Sequence, residues 1–266
     1  MKPAAASWWF AIPKQLRILL ILLATVLLWQ FAVVFFAVPE ILVPTPWSVV
    51  ARIYEHPAYF LTHTWRTLLE TLVGFGLAVV IGVALAVLII SSRALEETIY
   101  VLLIAFNGIP KVAIAPLFVV WMGTGLWPKF AISATIAVFV IVIDLVLGFR
   151  SVEKDMLDLA TALKGSRMKT LLLIRFPHAL PHLFAGMKVA ITLALIGSIV
   201  GEFVASDRGL GYMIMVAQGA FDTVQIFAAI VILGVMGMAL FFAIEFAERL
   251  LLPWHVSRRG SDSVDR

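Results

Sequence analysis

Few residues in this chain have the chemistry to bind, catalyse or conduct, and most of those lie inside apolar runs. Asn107-Gly108-Ile109-Pro110-Lys111 interrupts one such run. Pro110 removes a backbone donor and Gly108 weakens a helix, so a break or kink is expected there. Irregular backbone at membrane depth persists only where protein or water covers it. Two readings follow. The break exposes carbonyls, Asn107, Pro110 and Lys111 to a solute path, or it is a kink between packed helices with Lys111 reaching an interface along its alkyl stem. Glu202 near the end of a later run, and Asp144 within another, are acidic groups in apolar surroundings, which by default suggests function. Asp144 stands close to Arg150 and would also reach an interface; Glu202 would line an outer vestibule. His178 and His182 have a spacing that can hold a metal on a helix, but Pro181 lies between them and no third ligand is near, so no metal site is expected.

Chemistry needing other residues is excluded. The chain has no cysteine, hence no disulfide, thiolate metal site or cysteine nucleophile. It contains no His-Glu-x-x-His, no Gly-x-Ser-x-Gly and no Gly-x-x-x-x-Gly-Lys-Ser/Thr phosphate loop, so no catalytic residue and no cofactor are expected in this chain. The net charge of +4 is small and gives no reason to expect nucleic acid.

The elements that position these residues follow from composition. Of 266 residues, 62% are hydrophobic and 14% charged, beyond the roughly 45–50% apolar content of soluble domains. The apolar residues fall in blocks of about twenty, the length that crosses about 30 Å of hydrocarbon, and inside lipid such blocks must be helical. The expected fold is all-α and polytopic, with spans at Ile18–Val38, Leu68–Ile90, Ile99–Met122, Phe130–Phe149, Leu183–Val204 and Val224–Phe246. Residues 1–17 form an N-terminal segment, 18–253 a single membrane domain and 254–266 a tail. With both termini cytoplasmic, fourteen of the 20 basic residues fall inside and four outside, namely Arg52, Arg66, Lys129 and Arg208, as the positive-inside rule demands. Tryptophans near span ends, such as Trp47, Trp65 and Trp127, fit interface anchoring. Gly74, Gly76, Gly82, Gly234 and Gly237 suit close helix contact.

The long cytoplasmic loop, residues 150–182, is patterned. Met156, Leu159, Ala160 and Leu163 recur at helical spacing, with Asp155, Asp158 and Lys164 off the stripe. Gly165-Ser166 ends that helix, and a second one follows with Met168, Leu171 and Leu172 until Pro177 ends it. Such a loop either fits a groove on a partner or lies on lipid headgroups.

This loop resembles the signature of permease subunits of binding-protein-dependent ABC importers: Glu-Ala-Ala, three residues, Gly, then a later Pro. Here Asp158 takes the Glu place, Leu159 the first Ala and Ala160 the second; Lys164 occupies the Gly place with Gly165 one residue late, and Pro177 and Pro181 close the motif. Gly186-Met187-Lys188, Gly201-Glu202-Phe203 and Gly209-Leu210-Gly211-Tyr212 fit the same pattern. Val43-Pro44-Thr45-Pro46, residues 109–117 and Trp121-Met122-Gly123-Thr124-Gly125 look like the nitrate, sulfonate and taurine branch, which also includes importers of pyrimidine-type vitamin precursors. Together these cover residues 40–253.

The resemblance implies a type I importer fold in a bacterial inner membrane. It implies a coupling helix built from Met156, Asp158, Leu159, Ala160, Leu163, Gly165, Arg167 and Pro177 that docks on an ATPase subunit. It further implies two ATPase copies carrying ATP and magnesium, a second permease copy, and an extracytoplasmic binding protein that delivers substrate. The competing reading is a stand-alone secondary transporter or channel. Such folds show interrupted spans in corresponding positions of two halves, and only one interrupted span is evident here.

Overall fold

A computed structural model describes residues 13–92, 94–95, 97–98, 105–106 and 108–253. All regular structure among them is helical. The helices are α1 (Lys14–Phe35), α2 (Pro46–Glu55), α3 (Pro57–Ser91), α4 (Lys111–Met122), α5 (Trp127–Arg150), α6 (Lys154–Ala162), α7 (Arg167–Thr170), α8 (Phe176–Ala205), α9 (Leu210–Gly219) and α10 (Thr223–Leu251). A single π turn, Leu171–Arg175, joins α7 to α8.

Among the described residues, four continuous helical segments are long and apolar enough to cross a membrane: α3, α5, the run Arg167–Ala205, and α10. Shorter apolar helices cover Leu20–Phe35, Lys111–Met122 and Leu210–Gly219. The third expected span is interrupted as its residues suggest. Gly108 to Pro110 is non-helical, and α4 starts only at Lys111 with Pro110 as its N-cap. Its 12 residues reach about 18 Å, just over half of a hydrocarbon core. Asn107 lies outside the described residues.

Two expectations are corrected. Pro177 does not end the helix; it opens α8, and Pro181 lies inside α8. The π turn makes this possible. The Phe176 N–H donates to the Leu171 carbonyl, five residues back, so the wider turn admits a residue without an N–H. The second correction concerns Lys129, expected in an outer loop. It sits in the first turn of α5 and is 1% exposed, because a buried carboxylate receives it.

The chain divides into two compact units: the described residues of Met1–Leu61 with Met213–Val231, and Thr62–Tyr212 with the described residues from Ile232 onward. In the first unit α2 begins as its residues dictate. Thr45 caps it, its hydroxyl oxygen accepting the Ser48 N–H at 3.1 Å, and Pro46 opens the first turn. Arg52 pairs with Asp222 at 2.5 Å, the Thr223 hydroxyl donates to the Ile41 carbonyl at 2.6 Å, and the Trp29 and Phe227 rings lie 5.7 Å apart.

In the second unit α3, α5 and α8 share one apolar core that includes Ala78, Ile89, Ile141, Leu145, Ala190 and Ile191. The helices approach closely because small residues meet. A methyl group on Gly197 of α8 would lie 2.6 Å from the Ser133 Cα of α5. Gly74 and Gly82 likewise face α5, whereas Gly76 and Gly234 face open space. Contact between close backbones is how apolar helices associate when water supplies no drive. α10 adds Leu240 and Ile244 to this core and an ion pair, Lys188 to Glu248 at 2.5 Å.

Candidate functional site

Two regions gather the residues with chemistry. The first is the loop between α5 and α8. α6 places Asp155 in its first turn, where a carboxylate suits the helix dipole. Its end is a Schellman turn: the Lys164 N–H donates to the Thr161 carbonyl and the Gly165 N–H to the Ala160 carbonyl, both at 2.9 Å. Lys164 holds the left-handed position, φ +53°, which glycine adopts without steric cost. Gly165 is needed next to it, since a Cβ there would meet the Ala160 carbonyl oxygen at 2.9 Å. Ser166 caps α7, its hydroxyl oxygen accepting the Lys169 N–H at 3.3 Å.

The expected stripe divides on this scaffold. Met156, Leu159 and Leu163 point outward, Leu159 61% and Leu163 75% exposed. Ala160 turns inward and is buried. Asp158, Gly165, Arg167 and Pro177 are exposed. Met168, Leu172 and Leu173 extend the exposed apolar surface. A loop this short has no core of its own in which to bury them.

The second region is polar and buried. Thr67, Glu70 and Thr71 of α3 are each 0% exposed, with Ser133 and Ser198 buried beside them. Lys129 donates to Glu70 Oε1 at 3.2 Å and to the Ser206 hydroxyl at 2.6 Å. Arg66 Nε donates to the same Glu70 oxygen at 3.0 Å. Thr71 and Ser198 share a hydrogen bond of 3.0 Å. Glu202, 2% exposed, accepts from the Thr67 hydroxyl at 2.6 Å and from the Gly211 N–H at 2.5 Å. Buried polar groups persist when paired in this way, because an unmade hydrogen bond in the interior costs far more than a made one gains.

Glu202 therefore does not open onto solvent as a vestibule residue would. Its oxygens engage the turn that follows α8. Lys111 is only partly exposed, and its ammonium lies 4.7 Å from the Phe139 ring centroid, a cation–π contact. Pro110 is exposed. Asp144 packs against α8, where a Cβ on Gly186 would come within 2.9 Å of its Oδ2. Among the described residues no group of three His, Asp or Glu side chains could hold a metal ion.

His63, Arg66, Thr67, Glu70, Thr71 and Lys129 carry this cluster, and none of them stands out as functional in the sequence. A signal exists: His63, Arg66, Thr67, Glu70 and Thr71 recur at helical spacing. A span drawn from Leu68 by hydropathy cuts that stripe in two. The helix in fact starts at Pro57.

Comparison with known proteins gives this geometry its context. Residues 78–255 match the family described as the binding-protein-dependent transport system inner membrane component. The formylaminopyrimidine transport permease protein ThiX of Halalkalibacterium halodurans is 31% identical over 88% of this chain and 94% of its own. The riboflavin transport system permease protein RibX of Chloroflexus aurantiacus is 35% identical over 92% of this chain and 90% of its own. A solved amino acid ABC transporter superposes with a TM-score of 0.63 at 14% identity, covering 75% of this chain and 97% of that one. The chain belongs to the binding-protein-dependent inner-membrane permeases of ABC importers.

Proposed function

We propose that this permease couples to a separate ATPase through the α6–α7 loop and imports a small heterocyclic nutrient delivered by an extracytoplasmic binding protein. The observation that carries the coupling reading is the outward apolar face of Met156, Leu159 and Leu163, framed by Asp155, Asp158 and Lys164. Such a face gains about 1.5–3 kcal/mol for each leucine it buries in a partner groove. Ala160 supports the face from behind by accepting the Gly165 N–H. Arg167 and Pro177 border it.

ATP and magnesium belong to the ATPase, two copies of which pair with two copies of this chain. Both termini and the α6–α7 loop are cytoplasmic, and the turn before α9 faces outward. The break at Gly108–Pro110, with Asn107 before it and Lys111 after it, borders the solute path. The nutrient class is supported by the names of two relatives, which specify formylaminopyrimidine and riboflavin. It narrows an expectation that also spans nitrate, sulfonates and taurine.

Affinity purification of the tagged permease from its native membrane tests this reading. An ATPase with a phosphate loop should co-purify in equal copy number, and a reporter fused after Arg266 should be active only in the cytoplasm. A permease that purifies without an ATPase, or a reporter active only in the periplasm, would overturn it.

A further inference from the structure

The buried polar cluster ends on three consecutive backbone amides. The Leu210 N–H donates to the Thr67 hydroxyl at 2.8 Å and the Gly211 N–H to Glu202 Oε2 at 2.5 Å, while His63 Nδ1 meets both the Gly209 N–H at 2.9 Å and the Gly209 carbonyl oxygen at 3.0 Å. These amides begin α9, where the first N–H groups of a helix have no partner within it. A carboxylate and a hydroxyl supply what the helix lacks, at the end where its dipole favours negative charge. Gly209 adopts φ +117°, and a Cβ there would fall on the Glu202 carboxylate. The turn thus closes on the carboxylate with no room for a side chain. Ser206, held by Lys129 Nζ at 2.6 Å, ties down its other end. The Tyr212 ring stacks on His63, centroids 6.0 Å apart.

We propose that Thr67 and Glu202 are positioning residues for transport, holding the Ser206–Gly211 turn and the start of α9 in one fixed geometry for the delivering binding protein. Thr67 is the pivot, since its one hydroxyl donates to Glu202 and accepts from Leu210. The elements around it contribute His63, Arg66 and Glu70 from α3 and Lys129 from α5, while Asp207 and Arg208 remain exposed on the turn itself. The proposal rests on the reading that the chain is an importer permease with this turn outward.

The chain contains no cysteine, so a nitroxide attached to Asp207→Cys in the purified permease, before it is assembled with its partners, reports this turn alone. The test uses the assembled permease–ATPase complex in nanodiscs, with the purified binding protein of its own transport system. With native Thr67 the spectrum should be that of an immobilised label. Thr67→Val keeps the shape and removes the hydroxyl. It should shift the held-to-open ratio by roughly tenfold and raise the half-saturating concentration of binding protein. Thr67→Ser restores the hydroxyl and should restore both readouts. Glu202→Gln is the second variant and should mobilise the label through loss of the carboxylate at Gly211. An immobilised label in both Thr67→Val and Glu202→Gln would overturn the proposal, as would a mobile label with unchanged half-saturation. Failure of the wild-type complex to import with ATP would instead overturn the permease reading, which the label spectrum does not depend on.

Discussion

The buried cluster around Glu70 and the exposed loop around Leu159 solve opposite problems. In the cluster polar groups are withdrawn from water, and two basic side chains, two carboxylates, several hydroxyls and three backbone amides meet them inside one chain. In the loop apolar groups are left exposed, with nothing among the described residues to cover them. The first region finds its partners within the protomer, save Glu70 Oε2, which is buried without a hydrogen bond among the described residues, and its geometry is set by its own hydrogen bonds. The second, on the proposed reading, is half of an interface whose energetics are realised only with a partner. Substitutions in the two regions should therefore be read by different assays: stability for the cluster, association for the loop.

The largest effect should come from removing the buried cation of the cluster. Lys129→Met leaves Glu70 with only the partly exposed Arg66 as ion partner, and losing one partner of a buried pair costs up to about 3–5 kcal/mol. The thermal midpoint of the purified permease should fall sharply, and the double variant Lys129→Met, Glu70→Gln should recover most of the loss. If the single and double variants melt alike, the pair does not act as a pair.

In the loop the readout changes. Leu159→Glu or Leu163→Glu forfeits about 1.5–3 kcal/mol of burial, so ATPase affinity should weaken about tenfold or more with the melting midpoint unchanged. Lys154→Ala, off the apolar face, should bind as wild type. A normal affinity in the leucine variants would leave the loop better described as a headgroup-bound helix.

A smaller effect of opposite sign is expected at the Schellman turn. Lys164 pays the left-handed cost of about 1 kcal/mol, so Lys164→Gly should slow amide exchange across α6. Unchanged exchange would mean that the turn carries no strain. The smallest effect concerns Phe139→Leu, which removes a cation–π contact of about 0.5–1 kcal/mol from Lys111. Uptake should fall modestly while the complex stays assembled, and Lys111→Ala should fall at least as far. Normal uptake in both variants would leave Lys111 a structural residue of the break.

Much of this architecture is legible from residue patterns, and the failures have physical causes. Long apolar blocks locate α3, α5, α8 and α10 because lipid leaves the backbone no alternative to a helix. The break at Pro110 is legible because proline lacks the donor that a helix needs. Pro177 misleads for the same reason: the rule assumes regular α geometry, and the π turn at Leu171–Arg175 escapes it. The stripe on α6 shows in its spacing, but the inward turn of Ala160 does not, because a small residue suits either face. Glu202 is noticed as a lone acid near a span end. Its partners are not, since Glu70 and Lys129 stand 59 residues apart and meet only once α3 and α5 pack. Hydropathy also shortens α3, because it treats His63, Arg66 and Thr67 as exposed, when Glu70 of the same helix pairs with Arg66 and the Gly209–Leu210 turn and Glu202 satisfy His63 and Thr67.

The central claim is that this chain moves solute only as the membrane part of an ATP-driven complex. Proteoliposomes holding the permease with its ATPase, supplied with binding protein loaded with a pyrimidine nutrient on one side and ATP on the other, test it most directly. The account predicts accumulation that requires ATP and binding protein, persists when ion gradients are collapsed, and is lost with Leu159→Glu. Accumulation by the permease alone, driven by an ion gradient and indifferent to ATP, would contradict it and establish the chain as a stand-alone secondary transporter.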